Sequence, residues 1–228
     1  MPGLIWEGEN IASPPALDAG SVLNFRDTGF KRPVKRGIIE EFKWIVIHEN
    51  AGSVDPKRVS DNFSKYGYHI MVDRRGDIFQ TCDLEERVWH AGQCNTHGLA
   101  ICVLNSYYPR ISPGSKTIPA QWWTHCSPKH KKEYIIPTDE QLETMRVLVP
   151  WLADKLGIPY RFPTAHLFKE KRKIKGWWAG RTPTEGVVAH QDFSGHADGR
   201  YILEWLEDAD VPESGVTICP TCKQEVKL

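Results

Sequence analysis

A few short apolar runs stand out against long, weakly patterned stretches, and they place the secondary structure. Phe42-Lys43-Trp44-Ile45-Val46-Ile47-His48 is a β-branched run that predicts a buried strand ending in a histidine. Asp55-Pro56 opens a predicted helix: Asp55 suits the N-cap, Val59, Phe63 and Tyr66 recur at helical spacing, and Gly67 supplies a stop. Tyr68 to Asp73, the turn Arg74-Arg75-Gly76, and Asp77 to Gln80 predict a hairpin. Leu99 to Leu104 reads as a further strand. Thr138-Asp139-Glu140-Gln141 is a capping-box pattern, and the apolar positions beyond it predict a helix that stops at Gly157. Pro150 inside that helix removes a backbone hydrogen bond or kinks the axis. Val187-Val188-Ala189-His190 reads as a short strand with a second terminal histidine, and a last helix spans Arg200 to about Asp208.

The remaining stretches divide the chain. Residues 1–40, rich in Pro, Gly and Asp, read as an irregular extension on the surface of a domain covering 41–210. Residues 106–137 are proline-rich and aperiodic, an inserted loop, and 211–228 form a tail containing Cys219-Pro220-Thr221-Cys222. At 228 residues, with 40% hydrophobic and 25% charged positions, the chain has the size and composition of one globular domain with an extension. Lys plus Arg and Asp plus Glu number 29 each, so no global field favours nucleic acid. The basic runs at Lys129 to Lys132 and Lys169 to Lys175 read as solvated surface. The first twenty residues lack a basic start and an apolar core, and no apolar run approaches the roughly 20 residues of a membrane span. The expectation is a cytoplasmic protein with no membrane insertion. Six cysteines in a chain of this kind fit a reducing compartment better than a disulfide framework.

The chemistry gathers where strands end. His48 and His190 each close a strand, and Asp198 follows the second histidine by eight residues. A catalytic zinc site takes three protein ligands and keeps a fourth position open, and imidazole and carboxylate are suitable donors. Strand ends fix ligands rigidly while neighbouring loops leave the ion accessible. Each residue also has a plain structural reading, with Asp198 shaping a turn in Ser194-Gly195-His196-Ala197-Asp198-Gly199. Spacing alone leaves both readings open.

The order of motifs goes further. Trp44-Ile45-Val46-Ile47-His48, then Gly67 to Gln80 with its Tyr68-His69 pair, then Trp89-His90-Ala91-Gly92, then Ala189-His190-Gln191-Asp192 with Asp198, resembles the type 2 N-acetylmuramoyl-L-alanine amidases. That family includes phage lysozymes, cell-wall recycling amidases and animal peptidoglycan recognition proteins. The resemblance covers roughly residues 42–206. It implies an α/β fold, a central mixed β-sheet flanked by helices, with the metal at strand ends in an open groove. It implies Zn2+ as cofactor, with His48, His190 and Asp198 as ligands, Tyr68 as a catalytic residue, and His90 and Asn95 on the substrate groove. His196 stands where the family commonly has a catalytic lysine, a departure that would make its charge depend on pH near its ordinary pKa of about 6.5. Cys102 stands where the recycling branch has a glutamate, which with the eight-residue spacing leans toward the phage-like branch. The effect of Glu49-Asn50, after the first ligand, is not deduced from sequence. His69, opposite Tyr68 by the period of two, is expected to be structural, and Asp192 to support a ligand histidine.

The implied function is hydrolysis of the amide between N-acetylmuramic acid and L-alanine in peptidoglycan, by a monomeric endolysin made in the host cytoplasm. The alternatives are a recycling amidase acting on soluble muropeptides and a non-catalytic peptidoglycan-recognition module. Cys219 and Cys222 are half of a metal knuckle. Cys126 or His130 completing it, a site shared across a dimer, and an unpaired remnant all stay open.

Overall fold

The structure, a computed structural model, describes residues 3–12, 14, 22–63, 66–106, 115–119, 133–164, 183–193, 198–209, 216–218 and 225–227. Its strands are β1 (Leu4–Trp6), β2 (Glu9–Ile11), β3 (Val22–Leu23), β4 (Trp44–Glu49), β5 (Ile70–Val72), β6 (Ile78–Gln80), β7 (Gly98–Val103), β8 (Thr117–Pro119), β9 (Glu133–Ile135), β10 (Gly186–Ala189), β11 (Val216–Ile218) and β12 (Glu225–Lys227). The helices are α1 (Phe25–Thr28), α2 (Pro56–Asp61), α3 (Asp139–Leu156) and α4 (Arg200–Asp208).

Six strands form the central sheet in the order β10-β4-β7-β5-β6-β3. Only the β5–β6 hairpin is antiparallel, so the fold is α/β with a mixed sheet. β4, β7 and β10 are buried throughout, as expected of parallel strands covered on both faces. The period of two divides β4: Ile45 and Ile47 enter the large core with α3 and α4, whereas Trp44 and Val46 pack with Ala91, Cys94 and Val188. His48 shares parity with the second set and Glu49 with the first. This parity puts consecutive polar residues on opposite faces of one strand.

The capping box at α3 is formed as expected: Gln141 N–H donates to Thr138 Oγ1 at 3.1 Å, and Thr138 N–H donates to Gln141 Oε1 at 3.1 Å. Gly157 ends the helix in a left-handed conformation, φ 66°. The helix runs through Pro150 as one element, at the cost of the backbone hydrogen bond that proline cannot donate. Leu142, Met145, Leu148, Val149, Leu152 and Leu156 fall on its buried face, each contributing about 1.5–3 kcal/mol when fully buried. The hairpin turn is held against α3. Gly76 has φ +82°, and a Cβ there would lie 2.6 Å from Thr144 Oγ1, so no other residue fits this contact.

Three expectations need correction. Residues 1–40 are not merely an irregular extension: β1 and β2 form a hairpin, and β3 is an edge strand of the central sheet. The Gln80 side-chain amide replaces a strand partner, accepting from Ile5 N at 2.6 Å and donating to Ile5 O at 2.7 Å. Leu4, Ile5 and Val22 are consequently core residues. The helix after β4 stops at Asn62, not Gly67; Phe63 still reaches the core, but Tyr66 is 66% exposed. The stretch 106–137 contains an antiparallel pair, β8 with β9. In the tail, β11 pairs with β12, while Cys219 and Cys222 between them lie outside the described residues, as do Cys126, His130 and the run 169–175. Among the described residues, no helix is long and apolar enough to cross a membrane.

Candidate metal centre and its cleft

β4 presents His48 one residue before its end, and β10 passes His190 into the turn that follows it. The turn is fixed by Asp192, whose Oδ2 accepts from Ala189 N–H at 2.9 Å and from the Thr164 hydroxyl at 2.7 Å. These contacts hold the backbone that carries His190. Asp198 arrives just before α4, where Gly199, φ +85°, brings the chain against β4. A Cβ on Gly199 would sit 2.1 Å from Ile47 O, so glycine is required for that approach.

The three side chains converge. Donor atoms of His48, His190 and Asp198 all lie within 4.8 Å of one another, a group that could hold a metal ion. His48 Nδ1 is 3.4 Å from Asp198 Oδ2, and His190 Nδ1 is 2.9 Å from Asp198 Oδ1. Donors around a tetrahedral zinc with bonds near 2.0–2.1 Å stand about 3.3–3.4 Å apart, a spacing that the two histidine–aspartate distances approach. Burial alone would raise the Asp198 carboxyl, but the two imidazoles hold it well below the usual carboxylate range. It is therefore an anion ready to ligate.

A chain of rings fixes which nitrogen of His48 faces that group. His90 Nε2 lies 3.1 Å from the Gly98 carbonyl, which can only accept, so this nitrogen carries the proton. Burial first, then the neighbouring histidines, push the His90 pKa well down, and the ring is neutral. Its bare Nδ1 then accepts from His48 Nε2, 3.0 Å away. His48 Nδ1 is left facing Asp198, 3.4 Å from Oδ2. The Asn95 side-chain oxygen accepts from the N–H groups of His90 and Ala91, both at 2.8 Å, and so shapes the loop that holds His90.

His69 is structural, as its parity suggested. Ala100 N–H donates to its Nδ1 at 2.9 Å, and its Nε2 faces Glu86 O at 2.8 Å. Burial lowers its pKa to about 4. The unfolded chain therefore binds more protons than the fold between pH 6.5 and 4. Stability from His69 is fully present above about 6.5 and is lost as pH falls toward 4, by roughly 3 kcal/mol at most. The His69 ring resonances are expected not to titrate above pH 5, and urea denaturation should show a matching loss of stability below pH 6.5. Titration of that ring near 6.5 would refute the assignment.

Sequence reasoning missed Glu49. Its Oε1 accepts from the Tyr134 hydroxyl and from Asn105 Nδ2 at 2.9 Å, and its Oε2 accepts from Gly199 N–H at 3.0 Å. Burial pushes the carboxyl up to about 7, against these hydrogen bonds and with the help of the negative Asp198 nearby. The cluster ties β4, β9 and the Asp198–Gly199 bend together. The available signal was an acid on the core-facing parity of a buried strand, which demands donors.

A cleft of about 830 Å³ opens over the three converging side chains, with Tyr66, Tyr68, Trp89 and His90 among its walls. The Tyr68 ring lies 5.1 Å from that of His48 and is hydrogen-bonded through its side chain to Cys102, the register neighbour of His48 on β7. His196 lies outside the described residues.

A mixed sheet thus carries, beside the ends of β4 and β10, a two-histidine, one-carboxylate group that could hold a metal ion. The chain belongs to the N-acetylmuramoyl-L-alanine amidase family Amidase_2, whose profile matches residues 40–202. No curated protein matches it in sequence. Among solved structures it is similar to the endolysin amidase LysCS from Clostridium intestinale URNW, at 14% identity over 78% of this chain and 86% of that one, TM-score 0.44. It is also similar to the Drosophila peptidoglycan recognition protein SD, at 15% identity over 81% and 91%, TM-score 0.46. The amidase AmiD from E. coli, with a muramoyl peptide bound, matches at 16% identity over 71% and 52%, TM-score 0.44.

Proposed function

We propose that this chain hydrolyses the amide between N-acetylmuramic acid and L-alanine in peptidoglycan, using Zn2+ held by His48, His190 and Asp198. The carrying observation is the convergence of those three donors within 4.8 Å on an open cleft. Two imidazoles and a carboxylate are a donor set that suits a catalytic zinc, which would keep a further position for water. When bound, the ion lowers the pKa of its water to roughly 7 and polarises the amide carbonyl. The chain's own residues do the rest. His90 holds His48 in the ligating tautomer; Tyr68 orients the attacking water or passes its proton; His196, two residues before Asp198, protonates the leaving amine. His90 and Asn95 border the groove that receives the muramoyl peptide. The phage-like spacing of His190 and Asp198 and the cysteine at 102 favour an endolysin acting as a monomer on intact wall.

Removing the His90 ring should expose the value of the tautomer lock. His90→Ala is expected to weaken zinc binding by about 10–100-fold, read by competition with a chromophoric chelator. Parent-like affinity would leave His90 with a groove role alone.

The test of the reaction is mass spectrometry of purified peptidoglycan after incubation with zinc-loaded chain, chelated chain and His190→Ala. Stem peptides with free L-alanine amines, made only by the zinc-loaded parent, support the amidase reading. Binding to wall without cleavage would replace it with a recognition module. Cleavage of soluble muropeptides but not of intact wall would replace the endolysin setting with recycling.

A further inference from the structure

We propose that the strap of residues 30–39, ahead of the family-matched region, adds a cationic subsite to the cleft, in which Arg36 stacked on Trp89 binds a free carboxylate of the stem peptide. The proposal rests on the amidase reading and extends it to specificity.

Trp89 lines the cleft, is 43% exposed, and directly precedes His90, whose ring touches His48. The Arg36 guanidinium carbon lies 4.5 Å from the centroid of the Trp89 ring. That cation–π contact orients the guanidinium while leaving N–H groups available for a two-pronged bond to a carboxylate. The strap is held where the subsite needs it. Arg36 N–H donates to Arg87 O at 2.8 Å, Arg87 N–H to Gly37 O at 2.9 Å, and Ile39 N–H to Glu85 O at 2.7 Å. Arg87 Nε also donates to Arg36 O at 3.0 Å, which ties the Arg87 side chain to the backbone of the strap. Pro33 fills the space beside Gly67, between the cleft-lining Tyr66 and Tyr68; a Cβ on Gly67 would be 2.3 Å from Pro33 Cβ.

The charges of the strap are not equivalent. Arg32 and Lys35 are both paired with Glu86, at 2.6 and 3.7 Å. Among the described residues, Arg36 forms no ion pair, and its guanidinium meets the Trp89 ring instead. A cation without a carboxylate, oriented on a cleft-lining indole, is a partner for an anion entering the cleft beside Trp89. The peptide arm of the proposed substrate carries carboxylates that amide cleavage does not use, and a carboxylate is the matching partner for an arginine fork.

The test compares two synthetic muramoyl tripeptides that differ only in whether the glutamate α-carboxyl is free or amidated. Both are given to the zinc-loaded full chain, to Arg36→Gln and to Arg36→Lys, with Kd measured by calorimetry and KM by amine release. The parent is expected to prefer the free acid by about tenfold, Arg36→Gln to bring that ratio close to one, and Arg36→Lys to keep part of it. Zinc content equal to the parent's reports that each variant is folded. A parent that treats both peptides alike overturns the proposal, and so does Arg36→Gln weakening both equally, since the arginine then only props the indole. If the parent binds with the expected preference but releases no amine, the subsite stands and the amidase reading falls; if it binds neither peptide, both fall.

Discussion

Asp198→Ala is expected to lower kcat/KM on a soluble muramoyl peptide by about 10⁴-fold, equivalent to about 5.5 kcal/mol on the barrier, and to abolish stoichiometric zinc binding. The size of the effect follows from the geometry. Asp198 is the group both histidines face, His48 Nδ1 at 3.4 Å and His190 Nδ1 at 2.9 Å, and it is buried. Without it two imidazoles remain on a cavity wall, with no anion to offset the charge of the ion. The residual rate then depends on groove binding and Tyr68, without an activated water. Asp198→Asn is the sharper variant because it keeps the shape and the Gly199 approach to β4 while removing the charge. It should hold zinc more weakly than the parent and more tightly than the alanine variant. Metal content by atomic absorption and rates on the same preparations check this order. An alanine variant with full zinc and a rate within tenfold of the parent would remove Asp198 from the ligand set.

What was legible in the sequence was what neighbouring residues decide together. The β4 run, the β5–β6 hairpin and the Thr138–Gln141 capping box each depend on residues within a few positions, and each was formed as expected. The convergence of His48, His190 and Asp198 was legible only through the order of motifs, because spacing along the chain does not say that β10 lies beside β4. The parts that were not legible are long-range. Gln80 reaches 75 positions back to Ile5, which converts an apparently irregular N-terminus into part of the core. Glu49 finds Tyr134 85 positions away, in a stretch whose prolines suggested only loop. The end of α2 was misjudged for a different reason. Phe63 sits on helical spacing and is buried, but buried spacing persists for one step after the helix has ended at Asn62.

Tyr68→Phe should separate chemistry from metal binding, with kcat down by about 10²–10³-fold while zinc affinity and peptide KM stay near parental values. The ring packs edge-on to Phe63 at 6.0 Å and lies 5.1 Å from His48, so phenylalanine preserves the packing and removes only the hydroxyl. That hydroxyl is hydrogen-bonded to Cys102, a buried thiol that burial keeps protonated well above neutral pH. Cys102 is therefore a weak partner that cannot act as a base, and the proposed role of aligning water is given to the tyrosine. Where a carboxylate at position 102 would take the proton directly, this chain has only a neutral thiol behind the phenol. Cys102→Ala is accordingly expected to change kcat by less than about tenfold, because it removes a prop of Tyr68 and not an acid or base. Rates for the two variants, measured with zinc content on the same samples, decide between the assignments. If Tyr68→Phe turns over at the parental rate while Cys102→Ala does not, the roles given to the two residues are reversed.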